Sequence, residues 1–341
     1  MNVTEHQRPG VYSVYRAASG LSGRRGRGMA GVVAVCTAKG EAGTVYPLNS
    51  LEEAAAAFGQ GETLTRLAGL LLQNGAARVY AVPVAGEEGY AAAFAALEKV
   101  EELAVICCDS TALAVQQSLR DSVKSASENR RERLAVVCGQ AGETVEELKT
   151  RAKGLNSERV VVAAPGGADA AAALAGAIAG ETDPAVPLNG VELKGVADSA
   201  QLWTETDIDA LVLGGVTPLE TVSGTVCVIR AVTSRTTTGE AADATWRELT
   251  TIRVVDDVIP GLRRALRARF TRAKNTPQGR SAIRSQVIVE LEHKLADEII
   301  TGYDGVSVRE VEDEPTVCLV EFAFTVAHGL SQLWLSAHIT V

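Results

Sequence analysis

Four histidines, His6, His293, His328 and His338, are the only imidazoles in the 341-residue chain, and none lies between residues 7 and 292. Acyl transfer by a Ser-His-Asp group needs an imidazole beside the serine to take its proton. The long middle of the chain therefore has no room for such a triad. His293 stands among Glu290, Glu292 and Lys294 and reads as a solvated helix residue, while His328 and His338 fall in the terminal strand region and read as pairing residues. The adjacent carboxylates at Asp207/Asp209, Asp256/Asp257 and Glu312 to Glu314 could share acid-base work only if their surroundings differed. Helix starts and exposed loops account for all three. Cys36, Cys107, Cys108, Cys138, Cys227 and Cys318 lie inside apolar runs without CxxC or His/Cys ligand spacing, so they read as buried free thiols and imply no metal.

The glycine motifs are equally weak as chemistry. Gly26-Arg-Gly28-Met-Ala-Gly31 matches GxGxxG but precedes the first apolar run instead of following it, so its amides would not open a helix under a pyrophosphate. It reads as part of a flexible Gly-rich stretch at 20–31 able to act as a hinge. Two strand-to-helix turns, Pro165-Gly166-Gly167-Ala168-Asp169 and Gly139-Gln-Ala-Gly142-Glu-Thr144, lack a following Gly-Lys-Ser/Thr. Asp169 as a helix N-cap explains the first without a ligand. No cofactor is implied.

The elements that would carry a site are clearer. Hydrophobic residues are 46% of the chain, charged residues 22% and aromatics 4%, so Ala, Val and Leu build a globular core. The net charge of −9 argues against a dedicated nucleic-acid binder. No apolar run reaches the ~18 residues a membrane helix needs, and the polar opening MNVTEHQRPG lacks a signal-peptide core. The expectation is a soluble cytoplasmic chain whose main partner is protein.

Short Val/Ala/Ile runs recur at GVVAVCT from Gly31, RVYAVPV (78–84), LAVICC (103–108), LAVVC (134–138), RVVVAA (159–164) and TVCVIRAV (225–232). Between them the spacing is helical, as in Leu64, Leu67, Ala68 and Leu71, or Tyr90, Ala93, Phe94 and Leu97. All-apolar strands alternating with helices predict a doubly wound α/β sheet with helices on both faces. The predicted organisation is an N-terminal arm at 1–28, the α/β domain at 29–238, a smaller α+β C-terminal domain at 239–328, and a terminal strand at 329–341. In the C-terminal part, one helix is expected to start at Asp256-Asp257 with Pro260 in its first turn. A second is expected from Thr276-Pro277 to a Gly302 cap, followed by a strand at 316–326. In the terminal strand Leu333, Leu335, Ala337, Ile339 and Val341 share one face. Such a strand pairs with a sheet in its own subunit or in a neighbour.

Between Gly261 and Arg284 stand eight basic residues, Arg263, Arg264, Arg267, Arg269, Arg272, Lys274, Arg280 and Arg284, and no acidic one. Without interleaved aromatics this face suits an acidic protein surface better than nucleic acid.

Arg8-Pro9-Gly10-Val11-Tyr12 resembles the PGVY element of contractile tail sheath proteins, found in phage tails and phage-tail-like bacteriocins. GAARVYAVPV (75–84), DIDALVLGGVTPLE (207–220), VCVIRAVTSRTTTG (226–239) and TWRELTTIRVVDDV after them resemble successive family segments in the same order. The resemblance implies a subtilisin-like α/β domain without protease activity and a C-terminal domain facing an inner tube. It implies hexameric rings stacked helically around that tube, contracting to drive it through a target envelope. N- and C-terminal arms would add strands to neighbouring subunits, and the matching positions are Val11, Tyr12, Val14 and Tyr15 with Leu333, Leu335, Ala337, Ile339 and Val341. The basic face at Arg263, Arg264, Arg267, Arg272, Lys274, Arg280 and Arg284 would meet the tube or a neighbour. Implied partners are the chain itself, the tail tube protein, and baseplate and tail terminator proteins, with no nucleic acid and no membrane insertion. Synthesis would be in the bacterial cytoplasm and the destination a virion tail or released contractile particle. At this length the chain would be a minimal sheath. The alternatives are an α/β enzyme binding a nucleotide or small ligand at an unrecognised site, and a monomeric binding module.

Overall fold

The computed structural model describes residues 28–198, 201–312 and 314–330. In chain order the elements are β1 (Met29–Val35), β2 (Tyr46–Leu48), α1 (Leu51–Phe58), α2 (Thr63–Gln73), β3 (Arg78–Val84), α3 (Tyr90–Glu98), β4 (Leu103–Cys108), α4 (Leu113–Glu128), β5 (Leu134–Cys138), α5 (Val145–Leu155), β6 (Val160–Ala164) and α6 (Gly167–Gly180). They continue with β7 (Glu192–Leu193), α7 (Glu205–Leu213), β8 (Thr217–Val222), β9 (Thr225–Val228), β10 (Thr237–Thr238), β11 (Ala241–Ala242), α8 (Leu249–Phe270), α9 (Pro277–Ala296), β12 (Ile300–Val311) and β13 (Glu314–Val326).

The apolar runs supply β1, β3, β4, β5, β6 and β9, and β2, β7 and β8, outside those runs, complete one sheet of order β2-β3-β1-β4-β5-β6-β8-β9-β7, parallel from β3 through β8 and antiparallel at both ends. Period-two alternation serves two cores at once. On β5, Leu134, Val136 and Cys138 face the layer of α2 and α6, while Ala135 and Val137 face that of α3, α4 and α5. Strands buried on both faces leave no polar side, which is why the sequence shows unbroken apolar runs.

The helices between them start where local chemistry dictates. Thr144 accepts from the Glu147 amide and Glu147 returns the bond, a capping box that opens α5; Thr204 and Asp207 do the same for α7. Helix α6, GADAAAALAGAIAG, is almost wholly buried against α2. A Cβ on Gly176 would stand 2.6 Å from the Leu71 carbonyl oxygen and 2.8 Å from Asn74 Cβ. Backbone sets that limit, so Gly176→Val is expected to cost about 1–3 kcal/mol or more through overpacking, read as a lowered urea midpoint with an unchanged m-value.

Several expectations are corrected. Asp169 is not the N-cap of α6; Gly166 holds that position with φ 111, and Asp169 lies in the first turn, paired with Arg66. The 225–232 run is not a further parallel strand, because β9 forms a hairpin with β8 through Ser223 (φ 52) and Gly224 (φ 85), the left-handed pair that a two-residue turn requires. Residues 28–31 are no hinge: Gly28 donates to the Ala179 carbonyl and β1 begins at Met29. Residues 20–27 lie outside the described part.

The C-terminal part differs most. Helix α8 starts at Leu249, so Asp256, Asp257 and Pro260 are all interior. Pro260 has no amide to return to the Asp256 carbonyl, and tertiary contacts must override that loss. Helix α9 starts as expected, with Thr276 accepting from the Gly279 amide and Pro277 at its first position. It ends at Ala296, and Gly302 lies inside β12 instead of capping the helix. Strand β13 covers the expected 316–326 run, and β12 is its antiparallel partner. A third core of Val254, Val258, Leu262, Val287, Leu291, Ile299 and Ile300 unites α8, α9 and this hairpin. The first turn of α8 instead contributes Leu249 and Ile252 to the core of the large sheet.

Candidate functional site

In an open α/β sheet, ligands bind outside the carboxyl ends of the strands where the winding reverses, here beyond β1 and β4. There the chain's own side chains bridge the strand ends. Asp109 accepts from the Val35 amide at 3.1 Å through Oδ2 and from the Tyr90 hydroxyl through Oδ1. Burial and the neighbouring Asp109 carboxylate both push the Tyr90 phenol upward. Beyond β4 and β5, Gln116 donates to the Ser110 and Cys138 carbonyls at 3.0 and 2.8 Å. Arg151 donates to the Thr111 carbonyl at 2.7 Å and to Gln116 Oε1 at 3.0 Å, and it pairs with Glu143. These polar groups tie strand ends together. The turn at Pro165-Gly166 borders a cavity of about 10 Å³, room for about one water.

Among the described residues no group of three or more His, Cys, Asp or Glu is placed to hold a metal, and no helix is long and apolar enough to cross a membrane. Cys36, Cys107, Cys108 and Cys138 are buried, whereas Cys227 and Cys318 are partly exposed, correcting the expectation for those two. Burial pushes the Cys138 thiol up to about 12 against the lowering pull of the Arg151 charge, with the Asp109 carboxylate adding a smaller upward push. A thiol-reactive probe at neutral pH is expected to label Cys227 and Cys318 first and the other four only on unfolding; uniform rapid labelling of all six would contradict the buried assignment.

Asp256 and Asp257, read as helix-start carboxylates, are both buried. Arg159 grips Asp256 with two bonds, 2.8 and 2.9 Å, and Asp257 pairs with Lys294 of α9. Burial works against the Arg159 charge, but hydrogen bonds and attraction from Asp256 outweigh it and leave Arg159 above its ordinary value. The face of α8 bearing Arg253, Asp256 and Arg263 thus meets the α/β body through polar links, the last being Arg263 to Glu132 at 2.9 Å. Sequence reasoning missed this joint because its partners lie 97 and 131 positions away.

The seven residues of the proposed basic face divide. Arg263, Arg280 and Arg284 are engaged within the chain, the latter two by Glu310 at 2.8 Å and the Val306 carbonyl at 2.9 Å. Arg264, Arg267, Arg272 and Lys274 are exposed and make no ion pair with a described residue. They sit on the end of α8 and the turn to α9, which Asn275 ties to the hairpin through the Pro315 carbonyl at 2.8 Å. Arg269 instead donates to Gln286.

The β12–β13 hairpin turns Val320, Phe322, Phe324 and Val326 toward the third core, with Phe322 and Phe324 stacked at 6.2 Å. It forms a sheet of two strands only, of 12 and 13 residues, so among the described residues both outer edges lack a strand partner. Edge amides and carbonyls of this kind are a template for pairing with another chain. The expected arm residues Val11, Tyr12, Val14 and Tyr15, and Leu333, Leu335, Ala337, Ile339 and Val341, lie outside the described residues, as do His6 and His338. His293 is exposed, as expected. His328 is not strand-paired: it lies beyond β13, on a cleft of about 210 Å³ shared with Pro187, Arg230, Glu248, Thr250 and Gly329.

Comparison with known proteins fits this arrangement. Residues 84–234 match the family model of the phage tail sheath protein central domain, and residues 241–340 match that of the phage tail sheath C-terminal domain. The curated tail sheath protein of Bacillus phage SP01 is 28% identical over 227 residues, 62% of this chain and 39% of that protein. The chain therefore spans about two fifths of that relative's length. Among solved structures, the anti-feeding prophage helical sheath in its contracted state aligns over 98% of this chain and 99% of its own, with TM-score 0.71 and 15% identity. The anti-feeding prophage baseplate aligns over 99% and 100% (TM-score 0.74, 16% identity), and the sheath tail protein of Desulfitobacterium hafniense over 93% and 100% (0.69, 14%). At such identities these three likenesses speak for the fold; the two domain models, matched in order over most of the chain, show that it belongs to the phage tail sheath family.

Proposed function

We propose that this chain is the structural subunit of a contractile tail sheath, polymerising as stacked hexameric rings around an inner tube and contracting to drive that tube through a target envelope. The observation that carries the reading is the β12–β13 hairpin, a long two-stranded sheet whose outer edges have no strand partner among the described residues, in the segment that matches the sheath C-terminal domain. The hairpin is anchored on α8 and α9 through one face, and strand addition from neighbours would use its edges, main-chain hydrogen bonds giving strength and alternating side chains giving register. The N-terminal segment with Val11, Tyr12, Val14 and Tyr15 and the C-terminal segment with Leu333 to Val341 are the strands we assign to that role. The domain division at 238/239, a subtilisin-like fold for the α/β body, synthesis in the host cytoplasm, and contacts with tube, baseplate and terminator proteins belong to the same reading.

The exposed cations Arg264, Arg267, Arg272 and Lys274 are assigned to the tube-facing or neighbour-facing surface. Reversing all four to Glu is expected to change monomer stability by no more than about 0.5 kcal/mol per site. The same variant should fail to co-sediment with an acidic tube, whereas wild-type co-sedimentation should fall steeply as salt is raised. Wild-type co-sedimentation of the reversed variant would remove these residues from the interface.

A further inference from the structure

Both terminal segments leave the body against one short stretch of chain, residues 179–187. On the N-terminal side, Gly28 donates to the Ala179 carbonyl at 2.7 Å and accepts from the Ala77 amide at 3.0 Å. A Cβ there would lie 2.8 Å from Ala104 Cβ and 3.3 Å from the Ala179 oxygen, so the chain passes where a side chain does not fit. On the C-terminal side, Ala327 donates to the Ile299 carbonyl at 3.2 Å. Two residues on, a Cβ on Gly329 would stand 2.6 Å from Pro187 Cγ and 2.7 Å from its Cδ. A proline ring cannot rotate aside as a flexible side chain would.

The stretch between these two points is itself stiffened. Its sequence from residue 181 is Glu-Thr-Asp-Pro-Ala-Val-Pro, with φ fixed at Pro184 and Pro187. Asp183 donates its amide to Glu181 Oε1, and its own Oδ1 accepts from the Ala185 amide, both at 2.9 Å. Arg253 of α8, only 7% exposed, reaches both ends of it: Nη2 donates to the Glu181 carbonyl at 2.9 Å and Nη1 to the Val186 carbonyl at 3.2 Å. A planar guanidinium spans two acceptors in fixed geometry, which a lysine ammonium does not.

We propose that residues 179–187 form a bracket that fixes the exits of both terminal segments together, with Arg253 as its positioning residue and Gly329 and Gly28 as its contact points. The proposal rests on the sheath reading for its consequence: if the terminal segments are inter-subunit arms, the bracket sets the angles at which both depart, and so the twist of the assembled lattice. Both arms leave from one stiff piece of backbone, so a displacement of that piece redirects them jointly.

The test uses the full chain with Arg253→Ala, Arg253→Lys and Gly329→Val. In the monomer, Arg253→Ala is expected to speed amide exchange at least about tenfold at Gly28 and at Glu181, Asp183 and Ala185, while amides of β4 to β6 keep wild-type protection. Arg253→Lys is expected not to restore protection. Gly329→Val, at the edge of the body, should leave the melting temperature unchanged but alter the helical twist of assembled tubes or prevent their formation. Unchanged exchange at Gly28, Asp183 and Ala185 in Arg253→Ala, or wild-type twist in Gly329→Val tubes, would overturn the bracket. Failure of the wild-type chain to assemble would instead overturn the sheath reading, leaving the exchange experiment to decide the bracket alone.

Discussion

Asp256→Ala is expected to lower the unfolding free energy by about 3–5 kcal/mol, because it leaves the Arg159 guanidinium buried without its counter-charge. The Arg159 side chain is 12% exposed and that of Asp256 7%, so water cannot easily replace the lost partner. The break falls one turn before Pro260, where the helix already lacks a backbone bond. Denaturant unfolding with fluorescence and circular dichroism would measure it. A double replacement by apolar residues of similar size, Arg159→Met with Asp256→Leu, is expected to recover much of the loss, since a buried pair gains little over a well-packed apolar contact. If the single variant lost less than about 1 kcal/mol, the range of an exposed pair, the joint between α8 and the α/β body would not depend on this ion pair.

Removing residues 334–341 is expected to abolish assembly while leaving a monomer with unchanged melting temperature. At about 1 kcal/mol net per hydrogen bond, an arm making several bonds contributes several kcal/mol at each junction. Its loss would raise the concentration needed for assembly by roughly a hundredfold or more. Analytical ultracentrifugation of wild type and truncation at matched concentrations reads this directly. Normal tubes from the truncated chain would remove the C-terminal segment from donor-strand pairing; a truncated chain that unfolds would show that the segment pairs within its own subunit.

The centre of the α/β body was legible in the sequence because its strands are buried on both faces and written as apolar runs, as Leu134 to Cys138 and Val160 to Ala164 show, whereas the short edge strands β2 and β7 carry no such signal. Parallel neighbours with helical crossovers follow from that pattern. The C-terminal part was less legible for specific reasons. Strand β12, with two glycines, two acidic residues and an arginine in its twelve positions, carries a weak strand signal and acquires its conformation by pairing with β13. Pro260 suggested a helix start where the chain runs through it, since the packing of Val254, Val258 and Leu262 overrides local propensity. Asp256 and Asp257 suggested a solvated helix end, while their partners Arg159 and Lys294 come close only in the fold. The basic run was visible, but not its division between Arg263, Arg280 and Arg284, held internally, and the exposed Arg264, Arg267, Arg272 and Lys274.

The most direct test of the central claim is negative-stain electron microscopy of the purified chain, alone and then mixed with its tube protein. Striated hollow tubes or stacked rings are the predicted result. Uniform monomers under both conditions, at concentrations well above those of a sheath-forming preparation, would contradict the assignment of this chain as a contractile sheath subunit.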